Sequence, residues 1–256
     1  MGHLLQARTK GLKVVTLQER PSLLADFERL SDESWPRFLR LWKQPGGLPG
    51  RRVFLETFAD YQLALLDEDD AVAAVGNTLP FTWDGATQSL PSSIIELKRN
   101  AWENRSAPNA LAAIAALVAV ERRGQGLSSA LLKAMASLAV QKGLSACLAP
   151  VRPTHKAAEP MTPMAEYMRR TDPQGLPADP WLRTHVRLGA EVLGLMPRAL
   201  EITASVAEWS DWTGLSFPTG GEYAVPEALA PVLIDRRRGE GRYVEANVWV
   251  RHRLRG

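Results

Sequence analysis

Leu111-Ala112-Ala113-Ile114-Ala115-Ala116-Leu117-Val118-Ala119-Val120, followed by Glu121-Arg122-Arg123-Gly124-Gln125-Gly126-Leu127-Ser128, decides the fold of this chain. The unbroken apolar run fits a strand covered on both faces. After it the period changes. Leu127, Leu131, Ala134, Leu138 and Ala139 recur at helical spacing, with Ser128 or Ser129 expected as the cap and Gly143 as the left-handed stop. Cys147 to Arg152 (CLAPVR) resumes an extended pattern. The order from 110 to 154 is strand, glycine turn, helix, glycine stop, strand.

A glycine-rich turn that feeds a helix N-terminus suits an anion. Glycines let backbone N–H groups face a phosphate, and the first-turn amides with the helix dipole favour negative charge. The stretch is not a dinucleotide fingerprint, because Ser129 stands where the third glycine belongs and no ribose-binding acid follows a second strand. Nor does it end in the Gly-Lys-Ser/Thr of a nucleoside-triphosphate loop. An ordinary α/β turn that binds nothing would also accommodate the glycine pair.

Arg123-Gly124-Gln125-Gly126-Leu127-Ser128 resembles the coenzyme A pyrophosphate loop of the GNAT (Gcn5-related N-acetyltransferase) superfamily. That loop reads Arg/Gln-x-x-Gly-x-Gly/Ala between a strand and a helix carrying a leucine pair, here Leu131-Leu132. Arg123 and Gly126 match; Ser128 replaces the usual Gly or Ala, yet is small and keeps its N–H. The resemblance implies cofactor contacts from Val118, Val120, Arg123, Gly124, Gln125, Gly126, Leu127 and Ser128. It also implies an α/β (α+β) fold, a mixed, mostly antiparallel central sheet with helices on both faces. The residues alone supply the β-β-α-β-α-β order.

With 256 residues, 45% of them hydrophobic and 23% charged, the chain is expected to form a single domain over 1–256. Residues 1–50 read as a helical N-terminal segment and 157–180 as a proline-rich loop insertion. A net charge of +3 is too small to argue for nucleic acid. Arg236-Arg237-Arg238 reads as a hairpin turn and Arg251 to Arg255 as a terminal strand; solvation, or attraction to a polyanionic cofactor, accounts for both. Cys147 is the single cysteine, which excludes an intrachain disulfide and suits a reducing, cytoplasmic setting. In an apolar strand it is expected to be a buried, inert thiol. No apolar run reaches the length of a membrane span, and the start lacks a signal peptide's apolar core.

Pro21 to Gln44 carries two helical patterns, one with Leu23, Phe27 and Leu30 on a face, the next with Trp35, Phe38, Leu39 and Trp42. Tyr61–Leu66 and Ala71–Phe81 read as strands of a hairpin across Asp67-Glu68-Asp69-Asp70, four carboxylates that splay into solvent. Asn77, on the second strand, either presents a polar group to the cleft or pairs with backbone. Ser92–Glu103 is an amphipathic helix. Prolines between 153 and 180 exclude a long helix but allow a short one over Ala165–Arg170, and so long a loop is usually a wall or lid of a site. Trp181–Ala190 is helical and Ala199–Val206 extended, with Trp209 and Trp212 forming an aromatic corner. Leu229–Asp235 and Tyr243–His252 close the chain as a hairpin, in which Val244, Ala246, Val248 and Val250 mark a half-exposed strand.

The four histidines stand apart, with no pair at i, i+4 and no cysteine cluster, so no metal is expected. His3 and His252 lie at the chain ends, where fraying or solvation is expected. His155 and His185 follow the glycine loop. Pro150-Val151-Arg152-Pro153-Thr154, Pro180-Trp181-Leu182-Arg183-Thr184-His185 and Leu188-Gly189-Ala190 resemble the GNAT-like decarboxylase or S-acyltransferase branch that starts some polyketide chains. In that branch a threonine and a histidine line the acyl tunnel, which implies catalytic roles for Thr154 and His185. A cation to orient a leaving carboxylate would come from Arg198 or Arg187, and Tyr167 is a candidate acid. His185 as a base and His185 as a hydrogen-bonded core histidine both fit the sequence.

The function expected is transfer of an acyl group from acyl-CoA (acetyl-CoA or malonyl-CoA) to a small-molecule amine or an acyl-carrier thiol, with Asn77 and Arg198 as substrate contacts. Malonyl-type decarboxylation with S-acyl transfer is the alternative, and a CoA-binding module without turnover the third. Neither nucleic acid nor membrane is expected as a partner.

Overall fold

The computed structural model describes residues 11–43 and 47–254. The strands are β1 (Lys13–Thr16), β2 (Leu63–Leu66), β3 (Val72–Phe81), β4 (Ala110–Val118), β5 (Ala146–Val151), β6 (Glu191–Ser205), β7 (Gly221–Tyr223), β8 (Val232–Asp235) and β9 (Glu240–His252). The α-helices are α1 (Leu24–Ser34), α2 (Arg37–Leu41), α3 (Arg51–Thr57), α4 (Ile94–Glu103), α5 (Leu127–Gln141), α6 (Met164–Tyr167), α7 (Pro180–Arg187) and α8 (Val206–Thr213). One sheet runs β1-β2-β3-β4-β5-β9-β8-β7, with β6 along the other edge of β9. Among the described residues every strand pairing is antiparallel except β4 with β5.

Helices cover both faces. Leu127, Leu131, Leu132, Met135 and Leu138 of α5 pack on one, beside Met164, Tyr167 and Leu182 of α6 and α7. On the opposite face Phe54 and Phe58 lie with Leu97 and Ala101 of α4, while Phe27 and Leu30 of α1 cover Val75 and Leu117. Each leucine so buried contributes about 1.5–3 kcal/mol. At the far end Phe38 of α2 meets the rings of Trp209 (5.7 Å) and Tyr243 (5.4 Å).

Several boundaries differ from those the residue pattern predicts. β4 ends at Val118, and Val120–Arg122 turns as a 3-10 segment. No serine caps α5: its N-cap is Gly126, left-handed at φ 76°. Trp209 and Trp212 form no corner but lie on α8, started by a capping box in which Ser205 and Glu208 bond reciprocally to each other's backbone. The extended stretch expected from Ala199 begins at Glu191, with register breaks at Val192/Gly194 and Met196/Leu200. β9 is not half-exposed. Its odd-numbered residues Tyr243, Glu245, Asn247 and Trp249 are buried, since β9 lies inside the sheet with helices on both sides. The end of the second helical pattern at Gln44 lies outside the described residues.

The proline-rich segment is pinned rather than loose. Lys156 is 1% exposed and donates to the carbonyls of Glu159 (2.6 Å) and Leu229 (2.6 Å). Asp172 accepts from the Gln174 and Leu176 N–H groups, closing a tight turn.

Gly241 shows how closely α8 sits on β9. A Cβ there would lie 2.4 Å from Trp209 Cδ1, and the buried Trp209 indole donates to the Gly241 carbonyl at 2.9 Å. Gly241→Ala is expected to lower unfolding free energy by about 1–3 kcal/mol, measured by denaturant titration; an unchanged midpoint would contradict this packing.

Candidate active site

The site begins where a strand pairing ends. β4 and β5 share three residue pairs, Ala110 with Ala146, Leu111 with Cys147 and Ala112 with Leu148, and then separate. Just beyond, β4 carries a bulge: Asn77 faces Ala115 and Thr78 faces Ala113, leaving Ile114 as the extra residue. One inserted residue flips the faces of everything after it. Before the bulge Leu111 and Ala113 point to α5; after it Ala116 and Val118 do, while Ala115 and Leu117 turn to α1.

The gap is a cleft of 390 Å³. Val118, Leu132, Trp181 and His185 line it from the α5 side, and Trp35, Ala115 and Leu117 from the α1 side, so it passes through the sheet. Ala113, Ala115, Ala116 and Ala149 keep its walls low. Arg123 and Ser128 stand at the glycine-loop end, and Thr154 at the end of the opposite wall.

The loop itself is open. Gly124 and Gly126 have φ of 79° and 76°, and a Cβ built on either meets nothing within 4 Å. No side chain caps α5, so its first-turn N–H groups and positive dipole end are left for a ligand. Gln125, Gly126 and Leu127 border a second hollow with the Asp67–Asp69 turn, where Arg122 pairs with Asp67. The residues therefore fit a diphosphate at the loop and a narrow acyl arm between the strands.

His185 and Thr154 line the same cleft. His185 is 1% exposed, its Nδ1 lies 2.9 Å from His252 Nε2, and its Nε2 is buried without a hydrogen-bond partner among the described residues. A buried polar atom left unpaired costs about 1–3 kcal/mol and calls for an explanation. Burial, and then His252, hold the His185 imidazole down to about 3, and burial holds His252 down to about 4. Both rings are therefore neutral near pH 7. The Trp181 and His185 rings lie steeply inclined, planes at 72° and centroids 4.5 Å apart.

Asp179 sets the relative position of Thr154 and His185. Its Oδ1 caps α7 by accepting from the Trp181 (2.9 Å) and Leu182 (3.0 Å) N–H groups. Its Oδ2 accepts from the His155 N–H (2.9 Å) and the Tyr167 hydroxyl (3.1 Å). On the same wall as Thr154, just past β5, Arg152 donates to both oxygens of the fully buried Glu245, which also accepts from the Tyr243 hydroxyl.

Other candidates fall elsewhere. Val120 is 57% exposed and outside the cleft, because the chain turns before it. Arg198 also lies outside: it pairs with Glu201 on the exterior, and its N–H is tied to the Ser92 carbonyl. Arg187 is exposed at the end of α7 and borders a separate groove. His155 is exposed; its backbone N–H donates to Asp179 and its carbonyl accepts from the Ala158 N–H. Tyr167 does not reach the cleft, and burial followed by Asp179 pushes its phenol well above its ordinary value, against a role as acid. Asn77 alternates with Val75 and Leu79 toward the α1 and α4 side, beside the bulge, with Oδ1 buried and unpaired. Cys147 is buried, and burial pushes its thiol up to about 12.

His252 is not a frayed end but a buried partner, 6% exposed. It continues the alternation of Val248 and Val250 on the α5 face of β9, a signal present in the sequence. Trp181 and Arg152, quoted above only as parts of motifs, line the cleft. Among the described residues no group of three or more His, Cys, Asp or Glu is placed to hold a metal, and no helix is long and apolar enough to cross a membrane.

Two outcomes follow. Asp179→Ala strands buried donors and is expected to cost on the order of 2–4 kcal/mol; an unchanged denaturation midpoint would contradict the four-bond arrangement. The histidine pair sets a pH dependence. Unfolded imidazoles take protons below their ordinary 6.5, whereas the folded ones resist until about 4 and about 3. Stability is thus fully present above that ordinary value and falls as pH drops toward the folded values, by up to about 1.4 kcal/mol per pH unit per ring. Denaturation curves from roughly pH 7 to 4.5 should show this slope, reduced in a His185→Gln/His252→Gln double variant; equal slopes would contradict it.

No profile of a known protein family matches the chain. It is 31% identical over 282 residues to arginine N-acetyltransferase avaD of Aspergillus versicolor, covering 94% of either chain. Among solved structures, the loading GNATL domain of CurA from Lyngbya majuscula shares the fold at TM-score 0.61 and 17% identity, over 95% of this chain and 98% of that one. The GphF GNAT-like decarboxylase, solved with isobutyryl-CoA, gives a TM-score of 0.57 at 18% identity, over 95% and 99%. A glycine loop open at a helix start, a sheet parted beside it, and the avaD relative, 31% identical over 94% of either chain, lead to one conclusion: the chain belongs to the GNAT superfamily of acyl-CoA-dependent acyltransferases.

Proposed function

We propose that this chain transfers an acetyl or other short acyl group from acyl-CoA to the amine of a small molecule, arginine or a close analogue being the first acceptor to test. The observation that carries the reading is His185, which lines the cleft between β4 and β5 and whose Nε2 is buried without a partner among the described residues. The name of the avaD relative supports an amine acceptor and the choice of arginine.

In this account the N–H groups around Gly124, Gly126 and Ser128 hold the diphosphate, and Arg123 adds positive charge. The thioester lies between the parted strands. Attack by the amine forms a tetrahedral carbon, and His185 Nε2 takes the proton released from nitrogen. The Thr154 hydroxyl donates to charge developing on oxygen or sulfur. The guanidinium N–H groups of Arg152 that neither Glu245 nor the Glu227 carbonyl engages meet the acceptor through its carboxylate.

A second reading has a specific observation behind it: Thr154 and His185 do meet in one cleft. That pair, donating to a thioester oxygen as an enolate forms, would serve decarboxylation of a malonyl-type thioester followed by S-acyl transfer.

The test is a product assay by mass spectrometry with acetyl-CoA and arginine or related amines, and with malonyl-CoA alone. Acylated amine is expected, with kcat lowered about 10²- to 10⁴-fold in His185→Gln and CoA affinity unchanged. Acetyl-CoA arising from malonyl-CoA without any acceptor would favour decarboxylation instead. CoA binding with no product across a broad acceptor panel would overturn both in favour of a binding module.

A further inference from the structure

β9 ends in a histidine with two neighbours of different kinds. His252 Nε2 lies 2.9 Å from His185 Nδ1, the ring centroids 5.0 Å apart. On its other side His252 borders a groove of 460 Å³ formed by Leu132, Lys133 and Ala136 of α5, Arg187 and Leu188 at the end of α7, and Arg253. His185 borders the cleft and does not border this groove. The two imidazoles thus form a chain of nitrogens from the reacting centre to a separate, open surface.

We propose that His252 is the proton-relay partner of His185, resting on the reading of His185 as the base for acyl transfer. At the start His185 carries its hydrogen on Nδ1 and offers the Nε2 lone pair to the amine. As the amine N–H breaks, the new hydrogen forms His185 Nε2–H. The Nδ1 hydrogen passes to His252 Nε2, and the His252 Nδ1 hydrogen leaves to water in the groove. Both rings end neutral. His185 now has a hydrogen on Nε2, the form that can protonate the departing thiolate. When it does so, each hydrogen steps back: His252 Nε2 returns one to His185 Nδ1, and groove water supplies His252 Nδ1. The original tautomers are restored, and the net transfer is one proton from amine nitrogen to thiolate sulfur.

Neutrality is the reason a relay helps here. An imidazolium at His185 would sit in a site that burial and the adjoining ring make hostile to positive charge. At the groove, Lys133 from α5, Arg187 from α7 and Arg253 after β9 all carry positive charge, and no carboxylate is among the described residues lining it. Among the described residues no carboxylate lines either the cleft or the groove, so a proton arriving at one nitrogen favours departure from the other.

The test separates relaying from mere support. His252→Gln keeps a hydrogen-bonding group opposite His185 Nδ1 but cannot accept one hydrogen while releasing another. His252→Ala opens a space, next to the groove, that exogenous imidazole can enter. Expected are a tenfold or greater fall in kcat for both, acyl-CoA KM within twofold of wild type, and thermal midpoints confirming folded protein. The proton inventory in mixed H2O/D2O should change from bowed to linear in His252→Gln, and imidazole should restore kcat of His252→Ala at least fivefold. Wild-type kcat and inventory in His252→Gln would overturn the relay. So would a folded His252→Ala whose lost activity imidazole does not recover. Full activity in His185→Gln would instead overturn the base assignment itself, a distinct outcome from loss in His185→Gln with none in His252→Gln.

Discussion

Strands β4 and β5 are the parallel neighbours of the sheet, and they hold each other through three residue pairs before parting. The rest of the site follows from that short contact. A parallel pair needs a crossover connection, and α5 supplies it, so the glycine loop at the start of α5 stands beside the strand that opens. The Ile114 bulge then sends Ala115 and Leu117 to one face and Ala116 and Val118 to the other, giving the gap low walls on both sides. Had pairing continued, the cleft would be an ordinary piece of closed sheet.

What surrounds the opening is rigid by ordinary means. Asp179 joins the loop after β5 to the first turn of α7, and Lys156 gathers carbonyls of the proline-rich segment and of residue 229. Arg152 is held by Glu245, whose second oxygen also serves Tyr243. Such buried charge pairs add little net stability against apolar replacements, but removing one partner leaves the other stranded. Their role here is geometric: three elements distant in sequence meet the cleft at fixed positions. Against that well-paired background His185 Nε2 and Asn77 Oδ1 are buried side-chain atoms without a partner among the described residues.

Much of this was legible from the residues. The apolar run, the glycines and the leucine spacing locate β4, the loop and α5 to within a residue or two, because strand and helix periods differ sharply there. The Thr154 and His185 motifs point to two residues that do share a cleft. Other features were hidden for identifiable reasons. The first half of β6 carries Gly194, Pro197 and two register breaks, which erase its alternation. The helical nature of Val206–Thr213 was available in Ser205-Val206-Ala207-Glu208, a capping box, but paired tryptophans suggest a corner more loudly. Burial of His252 depends on α5 and α7 covering the end of β9, a tertiary fact that its place near the chain end conceals. Arg198 is drawn away by Glu201, three residues on, a local pairing that proximity in sequence to the site does not reveal.

The most direct test of the central claim is a crystal structure of the complex with a non-hydrolysable acyl-CoA analogue. The account predicts diphosphate density against the amides of Gly124 to Ser128, the pantetheine arm between Ala113–Val118 and Ala149–Arg152, and the thioester mimic within hydrogen-bonding reach of His185 Nε2, about 3 Å. A ligand bound outside this gap, or β4 and β5 paired closed beneath it, would contradict the account.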